Sequence, residues 1–160
     1  MCIRDRIFFA YGLGNAMTFP MSVGATTLLL AGRPTPDVVL EILTDERPTL
    51  FCGVPTLFSA MLAALGGDDR IESALRLCIS AGEALPSAVG EGWLAKTGVD
   101  ILDGVGSTEM LHIFLSNREG DVVYGTSGVA VPGYEFRLVD EAGSEVGVGE
   151  IGELLVAGDS

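Results

Sequence analysis

The 160-residue sequence predicts an α/β fold: a mostly parallel βαβ sheet followed by a β-rich subdomain. Three observations carry that expectation. Short continuous apolar runs alternate with helix-period stripes through the first two thirds of the chain, which is the signature of βαβ units. Beyond Ser116 the stripes give way to alternating, glycine-punctuated segments. Hydrophobic residues make up 48% and glycines number 22, a composition for a buried, turn-rich domain and against disorder.

Taken in order, Met1-Cys2-Ile3-Arg4-Asp5-Arg6 does not match the style of the residues after it and is expected to be a non-native leader at residues 1–6. Phe8–Ala25 reads as a loop entering a helix. Thr26–Ala31 (TTLLLA) is expected as a buried strand stopped by Gly32-Arg33-Pro34. Thr35 and Pro36 are an N-cap and first helical residue. In the helix they open, Val38, Val39, Ile42 and Leu43 share one face, opposite Asp37, Glu41 and Asp45. Leu50–Val54 is a second strand. Pro55 starts a helix whose inward stripe is Leu57, Phe58, Met61, Leu62 and Leu65. Gly66–Asp69 is a surface turn, and Leu75–Ser80 is a third strand. Pro86 begins a helix with Val89, Trp93 and Leu94 inward, and Val99–Leu102 is a fourth strand. The expected organisation is a parallel α/β part over residues 7–117 and a truncated β-rich part of the same domain over 118–160. In the latter, Ser127–Val131, Glu135–Val139 and Gly152–Val156 are strands, with turns at Pro132-Gly133 and Ala142-Gly143.

Charge narrows the function classes. Acids outnumber bases 22 to 9, for a net charge of −13, which repels nucleic acid. Ile7–Gly32 has no charged residue and is long enough for a membrane span. Asn15, Pro20 and four glycines interrupt it, so a buried protein segment and no membrane partner are expected. The three cysteines show no metal-ligand spacing. Cys52 and Cys78 fall in strand-like runs, as buried thiols of a cytoplasmic protein do. Lys96 is the single lysine and His112 the single histidine.

Two loops extend from the carboxyl ends of neighbouring expected strands: Ser80–Leu85 and Asp103–Glu109, the second opening the stretch DGVGSTEMLHIF (Asp103–Phe114). Ligands of open parallel sheets bind in that crevice. Gly104 and Gly106 let backbone approach a ligand, and Ser107 and Thr108 offer hydroxyls. Glu109 offers a carboxylate suited to Mg²⁺. From spacing alone, the same residues also read as an ordinary glycine turn with Glu109 at a helix N-terminus, and His112 as a satisfied buried histidine.

Six stretches together carry a resemblance: YGLGN (Tyr11–Asn15), FPMSVGAT (Phe19–Thr26), SAGEALP (Ser80–Pro86), DGVGSTEMLHIFLSN (Asp103–Asn117), GTSGVAVPGYEFRLVD (Gly125–Asp140) and GEIGELLVAG (Gly149–Gly158). From Ile7 onward the chain resembles AMP-forming acyl- and aryl-CoA ligases of the adenylate-forming superfamily, nearest to the benzoate-CoA ligase family. The resemblance implies a fragment of an ATP-dependent ligase for an aromatic carboxylic acid, of benzoate or 4-hydroxybenzoate type. Such an enzyme forms an aryl-adenylate and then an aryl-CoA thioester, with ATP, Mg²⁺ and coenzyme A as cofactors or co-substrates.

The resemblance further implies that Thr108 contacts the AMP phosphate and Glu109 ligates the metal, as the catalytic pair. Gly82, Glu83 and Ala84 would line the adenine, with Asp103, Gly104 and Ser107 in the same nucleotide site. Ala10, Tyr11, Gly106, His112 and Ile113 would shape the aryl pocket. The family's lysine-bearing phosphate loop, ribose-binding aspartate and small C-terminal domain have no counterpart in this stretch. A central fragment of the large N-terminal domain, inactive by itself, is therefore expected; the full-length protein is open to homo-oligomerisation. The alternatives are a non-catalytic nucleotide-binding or interaction domain, and an acyl-CoA ligase for a non-aromatic acid.

Overall fold

The computed structural model describes residues 9–67 and 69–159. The expected leader at 1–6, Cys2, and Asp68 of the surface turn lie outside the described residues.

The chain opens on three consecutive helical pieces: α1 (Ala10–Leu13), a π-helical turn (Gly14–Thr18) and α2 (Phe19–Ser22). Next come α3 (Pro36–Asp45), β1 (Leu50–Gly53), α4 (Pro55–Ala64), β2 (Leu77–Ser80), α5 (Ser87–Thr97) and β3 (Ile101–Gly106). The last elements are β4 (Ile113–Ser116), β5 (Val129–Ala130), β6 (Tyr134–Val139) and β7 (Glu153–Gly158). A five-stranded sheet has the order β1-β2-β3-β4-β5. Its first three strands are parallel; β4 is antiparallel to β3 and β5 to β4, so every strand except β4 points the same way. The sheet is thus mostly parallel. β6 and β7 form an antiparallel hairpin of their own.

Strand alternation sends side chains to two faces. Phe51, Cys78 and Ile101 are register neighbours on one face. They share a core with Val39 and Leu43 of α3, Leu57, Phe58 and Met61 of α4, and Trp93 of α5. Phe51, Phe58 and Trp93 meet as an aromatic trio with ring centroids 5.0–6.2 Å apart. On the opposite face, Cys52 packs against Ala16 of the π-turn, with Tyr11 and Ile79 beside them. Cys52 and Cys78 are both buried, and burial pushes the Cys78 thiol up to about 12.

Several expectations need correction. The strand expected at Val99–Leu102 runs Ile101–Gly106, so Asp103–Gly106 continue the strand instead of opening the loop. Thr26–Ala31 belongs to no strand. Leu28 and Leu30 pack on the core while Leu29 is exposed, so the alternation is strand-like, but no described strand supplies a hydrogen-bonding neighbour. Leu94 is not inward: it is 37% exposed, because Trp93 takes the core-facing position of α5. Thr35 and Pro36 do stand as N-cap and first residue of α3, as expected, though Thr35 makes no side-chain cap bond. Lys96 holds a surface turn, donating from Nζ to the carbonyls of Gly66 and Gly67 at 2.7 and 2.6 Å. Among the described residues, no helix is long and apolar enough to cross a membrane.

Candidate functional site

The carboxyl ends of β1, β2 and β3 bring three loops to one edge of the sheet. A cavity of about 220 Å³ opens there, lined by Phe9, Ala10, Tyr11, Val54, Ala81, Gly82, Gly106, Ser107, Thr108, His112 and Ile113. All five residues expected to shape an aryl pocket line it, together with Gly82, Ser107 and Thr108 from the expected nucleotide set. Glu83, Ala84, Asp103, Gly104 and Glu109 do not. Glu83 and Ala84 sit on the exposed loop after β2, where Gly82 has φ +92°, a conformation that favours glycine.

Each wall has a local cause. Tyr11 is tied to the sheet: its hydroxyl faces the Gly53 and Ile79 carbonyls at 3.2 and 3.3 Å, leaving the ring as wall. His112 stacks on Tyr11 (5.5 Å, 26°) and meets Phe19 edge-on (4.8 Å, 72°). Gly14 makes room for both rings, since a Cβ there would lie 2.7 Å from His112 Cδ2 and 2.8 Å from Phe19 Cε2. Gly106 is required by close backbone approach: its missing Cβ would run into the His112 carbonyl, at the point where a bulge shifts the β3–β4 register.

Between β3 and β4 the loop is held by its own bonds. Ser107 N–H donates to the His112 carbonyl at 3.3 Å and Leu111 N–H to the Thr108 carbonyl at 3.2 Å. Met110 N–H donates to Ser107 Oγ at 3.3 Å. His112 N–H donates to the Met110 carbonyl at 2.8 Å, closing a γ-turn around Leu111, whose φ is +63°. A non-glycine residue in the left-handed region is a strained conformation of the kind that gathers at functional loops. Thr108 and Glu109 ride exposed on this loop. Hydrogen bonds from the Glu109 backbone and the Ser107 side chain hold the Glu109 carboxyl below the usual range, so it is an anion.

Asp103 lies beneath, 5% exposed, beside its register neighbour Ser80. Burial raises its carboxyl above the ordinary value, opposed by the nearby Ser80 hydroxyl and the Leu85 and Gly104 backbone. The side chains are close without closing a hydrogen bond: Ser80 Oγ and Asp103 Oδ1 are both buried without a partner among the described residues. Burial lowers the His112 imidazole, with the Tyr11 carbonyl pulling the other way.

Of the other cavity residues, Phe9 reads in the sequence only as part of a loop entering a helix and Val54 as a strand end, while Ala81 lies in the Ser80–Leu85 loop without being singled out. Asn15, whose Nδ2 lies 3.1 Å from His112 Nε2, escapes sequence reasoning; its one signal is an amide within an uncharged apolar run.

Fold and edge together describe an α/β domain that presents its loops at the carboxyl end of a parallel sheet. Residues 5–160 match the family described as AMP-binding enzyme, and the chain belongs to that family. It is 59% identical over 97% of its length to a benzoate–CoA ligase of Thauera aromatica, covering 30% of that protein. It is 54% identical, again over 97%, to a 4-hydroxybenzoate–CoA/benzoate–CoA ligase of Rhodopseudomonas palustris, covering 29%. The crystal structure of a benzoate CoA ligase from Burkholderia xenovorans LB400 superposes with a TM-score of 0.93 at 56% identity, over 99% of this chain and 32% of that one. The chain thus spans about 30% of the length of the curated relatives it matches.

Proposed function

We propose that this chain is the acid- and nucleotide-holding part of an AMP-forming ligase that joins an aromatic carboxylic acid, benzoate or 4-hydroxybenzoate, to coenzyme A. The observation that carries the proposal is the junction of two surfaces. A cavity walled by Tyr11 and His112 is also lined by Ser107 and Thr108, the hydroxyl-bearing residues of the β3–β4 loop. A flat ring suits the aromatic wall and the Gly106 floor, and its carboxylate then lies toward the phosphate-handling loop.

In this reading the acid's carboxylate attacks the α-phosphate of ATP, releasing pyrophosphate and leaving an aryl-adenylate. The thiol of coenzyme A then displaces AMP. This chain's residues contribute positioning. Thr108 donates to a phosphate oxygen, the Gly82-Glu83-Ala84 loop covers the adenine, and Asp103 closes the nucleotide site from below with Gly104 and Ser107. Glu109 suits Mg²⁺, because it is an exposed carboxylate anion beside a phosphate site, and that ion is ordinarily held by one or two carboxylates plus substrate phosphates. The metal, when bound, supplies charge neutralisation for the phosphates. The protein belongs in the cytoplasm as an enzyme of aromatic acid breakdown, partnering small molecules and neither nucleic acid nor membrane, with self-association open to it.

The test is thioester formation from benzoate, ATP and coenzyme A by the chain joined to the flanking segments its relatives possess. Glu109→Gln is expected to lower Mg-dependent adenylation by roughly a hundredfold, the scale of losing one preorganised charge-stabilising group. His112→Ala is expected chiefly to change acid selectivity. Unchanged kinetics in both variants would remove these assignments.

A further inference from the structure

The imidazole of His112 meets the Asn15 amide at Nε2 and has the Tyr11 carbonyl beside it. Asn15 Nδ2 donates to the Tyr11 carbonyl at 3.0 Å. The same nitrogen lies 3.1 Å from His112 Nε2. A primary amide nitrogen carries two hydrogens and offers no lone pair. The Tyr11 carbonyl only accepts, so turning the amide end for end would set oxygen against oxygen. The second amide hydrogen therefore faces the imidazole. A proton on Nε2 would be driven against it, so Nε2 accepts and the ring proton sits on Nδ1.

The surroundings make this arrangement rigid. Asn15 is 8% exposed and lies in the π-helical turn, a local widening that recurs at functional sites. Tyr11 and Phe19 clamp the ring from two directions. Among the described residues, no aspartate, glutamate, lysine or arginine lines the cavity, so a protonated His112 would be the one cation in its described lining. A carboxylate entering such a cavity would pair with that cation and bind back to front, away from Thr108.

We propose that Asn15 is a positioning residue that holds His112 as the neutral, Nδ1-protonated tautomer, and that this neutrality makes an aromatic acid enter ring first. The orientation half rests on the ligase reading above; the tautomer half stands without it.

Because the chain contains a single histidine, selective ¹⁵N labelling of its imidazole gives one ring spin system. In the 160-residue chain near neutral pH, Nδ1 is expected to resonate as the protonated nitrogen and Nε2 as the unprotonated one. Asn15→Asp keeps the size and replaces the donor with an acceptor, and is expected to move the proton to Nε2 or to give the imidazolium. Asn15→Ala is expected to shift the ring toward the Nε2–H form. A protonated Nε2 in the parent chain would overturn the proposal, as would an Nε2 that stays unprotonated in a folded Asn15→Asp variant.

The orientation half is read in the chain joined to its flanking segments. Asn15→Asp is expected to raise KM for benzoate about tenfold or more, with KM for ATP unmoved; a general folding defect would move both. An unchanged benzoate KM overturns the orientation half. Absence of benzoate turnover by the parent, with the Nδ1–H tautomer in place, would strike the ligase reading instead.

Discussion

Asp103 is the residue whose environment departs furthest from what its type prefers. A carboxyl 5% exposed, with Oδ1 unpartnered beside an unpartnered Ser80 hydroxyl, is a costly group to ionise. Its folded value is raised above the ordinary 3.8, with burial the largest cause. Linkage sets the sign: the folded state holds the proton more tightly, so this group's contribution is fully present below about 3.8 and is lost as pH rises through the folded value. Asp103→Asn is therefore expected to melt higher than the parent near neutral pH, with the gap closing as pH falls below 3.8. Thermal melts across that range check it, and a gap independent of pH contradicts it. At this scale the sequence was partly legible. The residue types of Gly106, Thr108 and Glu109 suggested a ligand loop, and His112, which spacing alone left as a buried histidine and the resemblance put in a pocket, lines the cavity beside Tyr11 and Phe19. Asn15 was not legible, because its role depends on a turn geometry that no local pattern announces.

Among the elements, the β3–β4 hairpin and the π-turn set the shape of the site. Gly106 must lack a side chain because the His112 carbonyl occupies that space, and a backbone atom cannot swing aside as a flexible side chain can. Gly106→Ala is expected to cost about 1–3 kcal/mol, the range for forced overpacking. Chemical denaturation checks it, and an unchanged midpoint contradicts it. Helices α3, α4 and α5 were legible because an opening proline and length agreed in each, even where the stripe misplaced Leu94. The π-turn was not, since its residues fit an ordinary helix equally well. Thr26–Ala31 failed for a different reason: a strand is a pairing, and composition records a tendency to pair without recording a neighbour.

Across the whole molecule, the two covered faces of the sheet explain why the site lies at its edge. The aromatic trio anchors one face and the Ala16–Cys52 contact the other, which leaves the carboxyl end open for loops. Phe58, fully buried against Phe51 and Trp93, tests that frame. Phe58→Ala is expected to cost about 3–5 kcal/mol, seen as a lower denaturation midpoint, and a loss under about 1 kcal/mol would mean the trio is not the anchor.

In the proposed function, the cavity between Tyr11, His112 and the Gly106–Thr108 loop receives an aromatic acid for adenylation. Acid-dependent exchange of pyrophosphate into ATP, measured on the chain joined to its flanking segments, tests it most directly. The expected result is exchange supported by benzoate or 4-hydroxybenzoate and not by a long-chain fatty acid. Exchange with the fatty acid and none with either benzoate would contradict it.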